Sequence, residues 1–181
     1  MTRCFIAIDL PKEIQKELSE AQKQLYSDDV KMLNVKPENI HLTLKFLGEI
    51  DEKQIERVQD VLRDMKCKRF KAKLGGAGVF PNQNFIRVIW VGIEPKESII
   101  GLHEYLDAEL SKLGFQKDKE FESHATLARV KTVKDKKEFA DRIKKLKVKP
   151  IEFEVTEIAL KKSTLLSSGP VYEDIFVERL Q

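Results

Sequence analysis

The segment His41-Leu42-Thr43-Leu44 returns in the second half of the chain as His124-Ala125-Thr126-Leu127, and two of the three histidines of the sequence sit in it. Both copies lie in apolar, β-branched runs with the pattern of a half-buried strand. Side chains two apart on a strand share a face. His41 therefore faces the same way as Thr43, and His124 the same way as Thr126, while Leu42, Leu44, Ala125 and Leu127 turn into a core. The fold must accommodate two strands, each polar on one face and apolar on the other. Imidazole titrates near neutrality, so it gives or takes a proton at working pH. A threonine hydroxyl donates a hydrogen bond to an anion. Two such strands converging on one cleft supply an acid, a base and two donors for developing negative charge. That set suits phosphodiester chemistry without a metal.

The repetition reaches beyond the histidines. An apolar run, Phe5–Leu10, leads into Pro11-Lys12-Glu13, and a second, Val88–Glu94, leads into Pro95-Lys96-Glu97. Proline suits a helix start, where its missing N–H costs nothing, and glutamate in the first turn complements the helix dipole. Composition and spacing predict helices over 11–26 and 96–113, and further helices after the histidine strands over 51–65 and 134–146. An alternating strand follows each: Phe70, Ala72, Leu74 in the first half, Ile151, Phe153, Val155 in the second. Pro81-Asn82-Gln83-Asn84 and Ser167-Ser168-Gly169-Pro170 read as turns. Strand, helix, histidine strand, helix, strand thus occurs twice, over about 1–83 and 84–167, with a closing strand at 171–180 outside the scheme. Two motifs recurring in the same order point to duplication and a pseudo-two-fold arrangement.

The 181 residues suffice for one domain with a sizeable core. No apolar run is long enough to cross a membrane, and the N-terminus lacks the architecture of a signal peptide, so a cytoplasmic location is expected. Cys4 and Cys67 show no metal-ligand spacing and are expected as reduced thiols. Lys plus Arg is 33 against 30 Asp plus Glu, a net charge of +3. That balance leans towards an anionic partner without forming a nucleic-acid stripe. A metal hydrolase needs several histidine or carboxylate ligands at one tight site. Two histidines on separate strands, without clustered acids, argue against one, and neither metal nor cofactor is expected. A non-enzymatic RNA-binding module has no use for paired His-x-Thr units.

Val35-Lys36-Pro37-Glu38-Asn39-Ile40-His41-Leu42-Thr43-Leu44-Lys45-Phe46-Leu47-Gly48 resembles the first motif of the two-histidine (2H) phosphoesterases. It is most similar to their LigT-like branch, the RNA 2′,3′-cyclic phosphodiesterases also called 2′-5′ RNA ligases. His124-Ala125-Thr126-Leu127-Ala128-Arg129-Val130 resembles the second motif, and Ser163-Thr164-Leu165 with Gly169-Pro170-Val171-Tyr172 resembles the family's C-terminal hairpin. The resemblance covers essentially the whole chain. Asn34 departs from it where many relatives carry an aromatic, and Ser123 where proline is common before the second histidine.

The resemblance implies an α+β fold, a single bilobed domain over 1–181 in which two antiparallel sheets face each other across a central cleft, helices outside. It implies hydrolysis of RNA 2′,3′-cyclic phosphate ends to 2′-phosphomonoesters, with reversible 2′-5′ ligation as an associated reaction. RNA ends, tRNA fragments among them, are the implied partners of a monomeric enzyme with no membrane role. His41 is implied as proton donor and His124 as proton acceptor, an order the residues alone do not distinguish from its reverse. Thr43 and Thr126 are implied at the non-bridging oxygens. A small cyclic nucleotide or ADP-ribose cyclic phosphate is the alternative substrate.

Phe46 and Arg129, each five residues after a histidine, are implied substrate contacts. Strand parity opposes this, because an odd offset faces away from the histidine; only a bulge or a strand end reconciles the two. His103, in the charged stretch Leu102-His103-Glu104-Tyr105, is expected to face solvent. Lys161 and Lys162 are expected at a solvated strand end, and Tyr172 in hairpin packing.

Overall fold

A computed structural model describes all of residues 1–181. The elements run β1 (Thr2–Asp9), α1 (Lys12–Gln24), β2 (Val30–Asn34), a 3-10 turn (Pro37–Asn39), β3 (His41–Ile50), α2 (Glu52–Asp64), β4 (Phe70–Asn82), β5 (Phe85–Glu94), α3 (Lys96–Lys112), β6 (His124–Val133), α4 (Lys136–Lys144), β7 (Glu152–Val155), β8 (Glu157–Leu166) and β9 (Gly169–Arg179). The four expected helices are present, each for a local reason. Asp51 accepts the Gln54 N–H while the Gln54 side chain accepts the Asp51 N–H, a reciprocal cap that starts α2. Asp135 caps α4 by accepting the Glu138 N–H, without the return bond. In α1, Ile14, Leu18, Ala21 and Gln22 form one buried stripe; in α3, Ile99, Leu102, His103, Leu106 and Leu110 form another.

Every strand pairing is antiparallel. The order is β7-β4-β5-β6-β3-β1-β8-β9, with β2 also against β6. The mixed α+β class and the two facing halves match the expectation. The two sheets are nevertheless continuous: β3 and β6 touch through one ladder pair, Leu42 with Ala125. On either side of that seam the halves β3-β1-β8-β9 and β6-β5-β4-β7 diverge. Helices pack on the face that carries Leu42, Leu44, Ala125 and Leu127, all at most 1% exposed. Cutting any of these leucines to alanine is expected to cost about 2–5 kcal/mol.

The halves exchange pieces. The strand at Phe70, read from the sequence with the first half, is β4 and pairs with β5 and β7. The closing strand is β9, which pairs with β8, and β8 pairs with β1. The helices cross too: α1 rests against β6 and α3 against β3. The strand β2, Val30–Asn34, is only five residues long, too short for a period-2 pattern to stand out, and escapes a sequence reading.

One irregularity decides what faces the cleft. Ala7 pairs with Thr43 and Ile6 with Lys45, so Leu44 has no opposite residue. Likewise Trp90 pairs with Thr126 and Ile89 with Ala128, which leaves Leu127 extra. An extra residue in one strand reverses the faces beyond it. Leu44 and Lys45 are both buried, and Phe46 returns to the open face, 71% exposed. Leu127 and Ala128 are both buried, and Arg129 returns in the same manner. β3 and β6 share one burial pattern through their first nine positions.

Candidate active site

The open faces of β3 and β6 line a cavity of about 880 Å³ that receives His41, Thr43, Phe46, His124, Thr126 and Arg129. All six sequence-predicted site residues thus meet in one place. Continuing the Leu42–Ala125 register sets His41 beside Thr126 and Thr43 beside His124, a diagonal arrangement about the seam. The parity objection to Phe46 and Arg129 falls, because the bulges at Leu44 and Leu127 bring both onto the histidine face.

Each imidazole is oriented by the residue two before it. His41 donates Nδ1–H to the Asn39 carbonyl at 2.7 Å, and His124 donates Nδ1–H to the Glu122 carbonyl at 2.7 Å. A carbonyl partner requires the proton on Nδ1, so Nε2 of both rings carries the lone pair. The Thr43 hydroxyl donates to His41 Nε2 at 2.9 Å. Aromatic walls hold the rings. Tyr172 stands edge-on to His41 at 5.3 Å and Phe80 edge-on to His124 at 5.0 Å; Phe5 and Trp90 complete the two enclosures at 5.0 and 5.8 Å.

A family model described as LigT like Phosphoesterase matches residues 8–90 and again 91–172. The chain belongs to the LigT-like phosphoesterases. An RNA 2′,3′-cyclic phosphodiesterase of Methanocaldococcus jannaschii is 42% identical over 174 residues, covering 96% of this chain and 98% of the relative. A solved structure from Thermus thermophilus superposes with a TM-score of 0.83 at 31% identity, covering 98% of this chain and 97% of that one. Escherichia coli LigT, solved with 3′-AMP, superposes with a TM-score of 0.82 at 25% identity, covering 99% and 98%.

The surroundings of this LigT-like site set its proton affinities. Burial lowers His41 below its ordinary value, against the Asn39 carbonyl and Asp9, which favour the charged ring. Burial lowers His124 as well, against the Glu122 carbonyl and carboxylate. Desolvation thus moves both rings away from the unperturbed imidazole value. Arg3, Lys36 and Arg129 bring positive charge to the cavity, opposed by Asp118, Glu120 and Glu122. Glu122 is engaged by Lys96.

Several site residues escape the sequence. Asn39 bonds the Pro170 carbonyl through Nδ2 at 2.9 Å, tying the β8–β9 hairpin to the turn that presents His41. Tyr172 does pack in that hairpin, and it also forms a wall of the cavity. Ser123 is buried and donates to the Ile93 carbonyl at 2.8 Å, which fixes the approach to His124. Lys161 is not at a solvated end: it is 7% exposed and paired with Asp174 and, at 2.7 Å, with Asp9. Burial alone depresses a lysine, but these two carboxylates prevail and raise Lys161. Lys162 is half exposed beside Glu173 at 3.5 Å.

His103 does not face solvent either. It is 6% exposed, donates Nδ1–H to the Leu44 carbonyl at 2.8 Å and stacks on Phe121 at 4.0 Å. Its place in the stripe 99, 102, 103, 106, 110 was the available signal, outweighed by the charged neighbours Glu104 and Asp107. The nearby trio His103, Asp107 and Asp118 has ligand atoms within 4.8 Å of one another. Lys45 Nζ sits among them, bonded to Asp107, to the Gln116 carbonyl at 2.8 Å and to Asp118 at 3.0 Å. An ammonium therefore supplies the positive charge that this acidic pair requires. No helix of the chain is long and apolar enough to cross a membrane.

Proposed function

We propose that the chain hydrolyses 2′,3′-cyclic phosphate ends of RNA to 2′-phosphomonoesters by paired imidazole acid/base catalysis, its two halves having arisen by duplication. The observation that carries this is the pair of His-x-Thr strands opening Nε2 of both imidazoles onto one cavity. The double match of the family model supports the duplication. The archaeal relative's activity supports the reaction, and the 3′-AMP held by the E. coli protein supports a nucleoside phosphate as occupant.

Water attacks phosphorus, the P–O3′ bond breaks and P–O2′ stays. His124 takes the proton of the water and His41 gives its proton to the departing O3′. In-line displacement puts these oxygens on opposite sides of phosphorus, so one residue cannot serve both. Thr43 and Thr126 donate to the non-bridging oxygens as charge grows there. Phe46 stacks on the terminal base and Arg129 approaches base or phosphate.

The test is incubation with RNA ending in a 2′,3′-cyclic phosphate in excess EDTA, followed by identification of the phosphate position. Turnover to a 2′-phosphate is expected. Loss of turnover under chelation, restored by a divalent ion, refutes the metal-free reading. A parallel arm with mononucleoside cyclic phosphates reports whether RNA is preferred.

Two further results are expected. Thr43→Val and Thr126→Val keep shape and remove a donor, so each lowers kcat by about 10²-fold, the low end for one oxyanion donor. Wild-type kinetics in both variants would leave the threonines as ordinary strand residues. The pH profile follows from the buried imidazoles. Catalysis needs one ring charged and one neutral, so kcat/KM falls below the lower and above the higher macroscopic pKa of the pair. Both lie under the ordinary value of about 6.5, which places the kcat/KM maximum on the acid side of it. A bound phosphodiester anion favours the charged rings and extends the kcat profile to higher pH. A kcat/KM maximum on the alkaline side of neutrality contradicts this account.

A further inference from the structure

A bulge costs the extra residue its place in the ladder, and a buried carbonyl there needs a partner from elsewhere. At both bulges a side-chain donor comes from the helix of the opposite half, and at Leu127 it joins a backbone N–H. The Leu44 carbonyl receives Nδ1–H of His103, from α3, at 2.8 Å. The Leu127 carbonyl receives Nε2–H of Gln22, from α1, at 2.8 Å, beside the Val35 N–H at 2.8 Å. Gln22 spends its second amide hydrogen on the Val35 carbonyl, also at 2.8 Å, so both of its donors are used. His103 and Gln22 are each 6% exposed. Two different residue types thus do the same thing at related places. Each lies two residues before a side chain that the bulge turns into the cleft: Phe46 beyond Leu44, Arg129 beyond Leu127.

We propose that His103 and Gln22 are positioning residues for substrate recognition, His103 holding Phe46 and Gln22 holding Arg129 on the cleft face by satisfying the bulge carbonyls. His41 and Thr43 precede the first bulge, and His124 and Thr126 precede the second. The device therefore acts on binding and leaves the acid/base pair in place. The stacked Phe121 fixes the plane of the His103 ring, so that Nδ1 points at the carbonyl. Without His103 the Leu44 carbonyl loses this donor, and without Gln22 the Leu127 carbonyl keeps only the Val35 N–H; each bulge is then held less firmly, and a slip of one position turns Phe46 or Arg129 to the other face. The effect on KM rests on the reading of Phe46 and Arg129 as substrate contacts.

The experiment uses the whole chain and RNA ending in 2′,3′-cyclic phosphate. His103→Phe keeps the stacked ring and loses the donor; His103→Asn keeps a donor near the place of Nδ1; Gln22→Met keeps length and loses both donors. KM is expected to rise about three- to tenfold in His103→Phe and Gln22→Met, the value of one buried hydrogen bond, with kcat close to wild type. His103→Asn restores KM. The distinguishing result is crossed coupling in double-mutant cycles. His103→Phe is non-additive with Phe46→Ala and additive with Arg129→Ala, and Gln22→Met shows the reverse. A general loss of stability does not produce that pattern. The carbonyl carbon resonance of Leu44 moves in His103→Phe alone, and that of Leu127 in Gln22→Met alone. Equal coupling at both sites, or resonances unmoved in the folded variants, overturns the proposal. If Phe46→Ala and Arg129→Ala leave KM unchanged, the contact reading has failed, and the two resonances still decide whether the bulges are held. Should His103→Phe not fold, Gln22→Met carries the test on the Arg129 side.

Discussion

His41→Ala and His124→Ala are each expected to lower turnover of cyclic-phosphate RNA by about 10²–10⁴-fold, the usual worth of one general acid or base. Folding should survive both changes, because each ring lines the cavity and neither belongs to the buried core cluster. The stability loss is expected near 1 kcal/mol, typical of a single substitution. The double variant should lose less than the product of the single losses, since an acid without its base has little left to contribute. The pH profiles of the single variants carry the assignment. Removing the proton donor deletes the alkaline limb of the bell, and removing the acceptor deletes the acid limb. Retained turnover in either alanine variant, with an intact fold by circular dichroism, refutes the two-imidazole mechanism. His103→Ala is expected to lower stability, because that side chain is buried and bonded to the Leu44 carbonyl.

A second measurable effect is expected at a buried lysine. Lys45→Met removes an ammonium that is 1% exposed at the side chain and leaves Asp107 and Asp118 facing each other without it. Asp107 and Asp118 keep 13% and 36% side-chain exposure and so retain some water, and the cost is expected near the value of a hydrogen bond to a charged group, about 1.5–3 kcal/mol. Denaturant unfolding should show a lower midpoint with an unchanged slope. The same cluster predicts an acid-labile step. Burial alone raises the Asp107 carboxyl, but the Lys45 ammonium and the Asp118 N–H outweigh it and hold the group below its ordinary range. A depressed carboxyl contributes stability above its unfolded value, about 3.9, and that stability is lost as pH falls through the folded value. In Lys45→Met that contribution should be absent, and stability should depend less on pH below about 4. A variant as stable as wild type, with the same acid profile, contradicts the assignment.

Local patterning carried far into this fold. The reciprocal cap at Asp51, the one-way cap at Asp135 and the apolar stripes of α1 and α3 act within a few residues, so all four helices are legible in the chain itself. Strand parity around His41 and His124 likewise depends only on neighbours: Leu42 and Ala125 go inward, and the histidines and threonines go outward. Parity failed three positions beyond each threonine, at Phe46 and Arg129. A bulge is decided by the partner strand, and the register of β1 on β3 or of β5 on β6 is not written in either strand alone. The exchange of β4 and β8 between the halves was hidden for the same reason, since the strands that pair are distant in sequence.

The helices, the inward and outward faces of the two histidine strands, and the chemistry those strands offer are all written in short stretches of the chain. These follow from periodicity, capping and side-chain type over short spans. Long-range pairing sets the rest: the halves share one sheet through Leu42 and Ala125, Phe46 and Arg129 reach the cleft, and His103, Lys45 and Lys161 are interior groups. Charged and polar residues look solvent-facing in a chain read one stretch at a time. They enter the interior when a distant partner repays the lost water: the Leu44 carbonyl for His103, Asp107 and Asp118 for Lys45, Asp9 and Asp174 for Lys161.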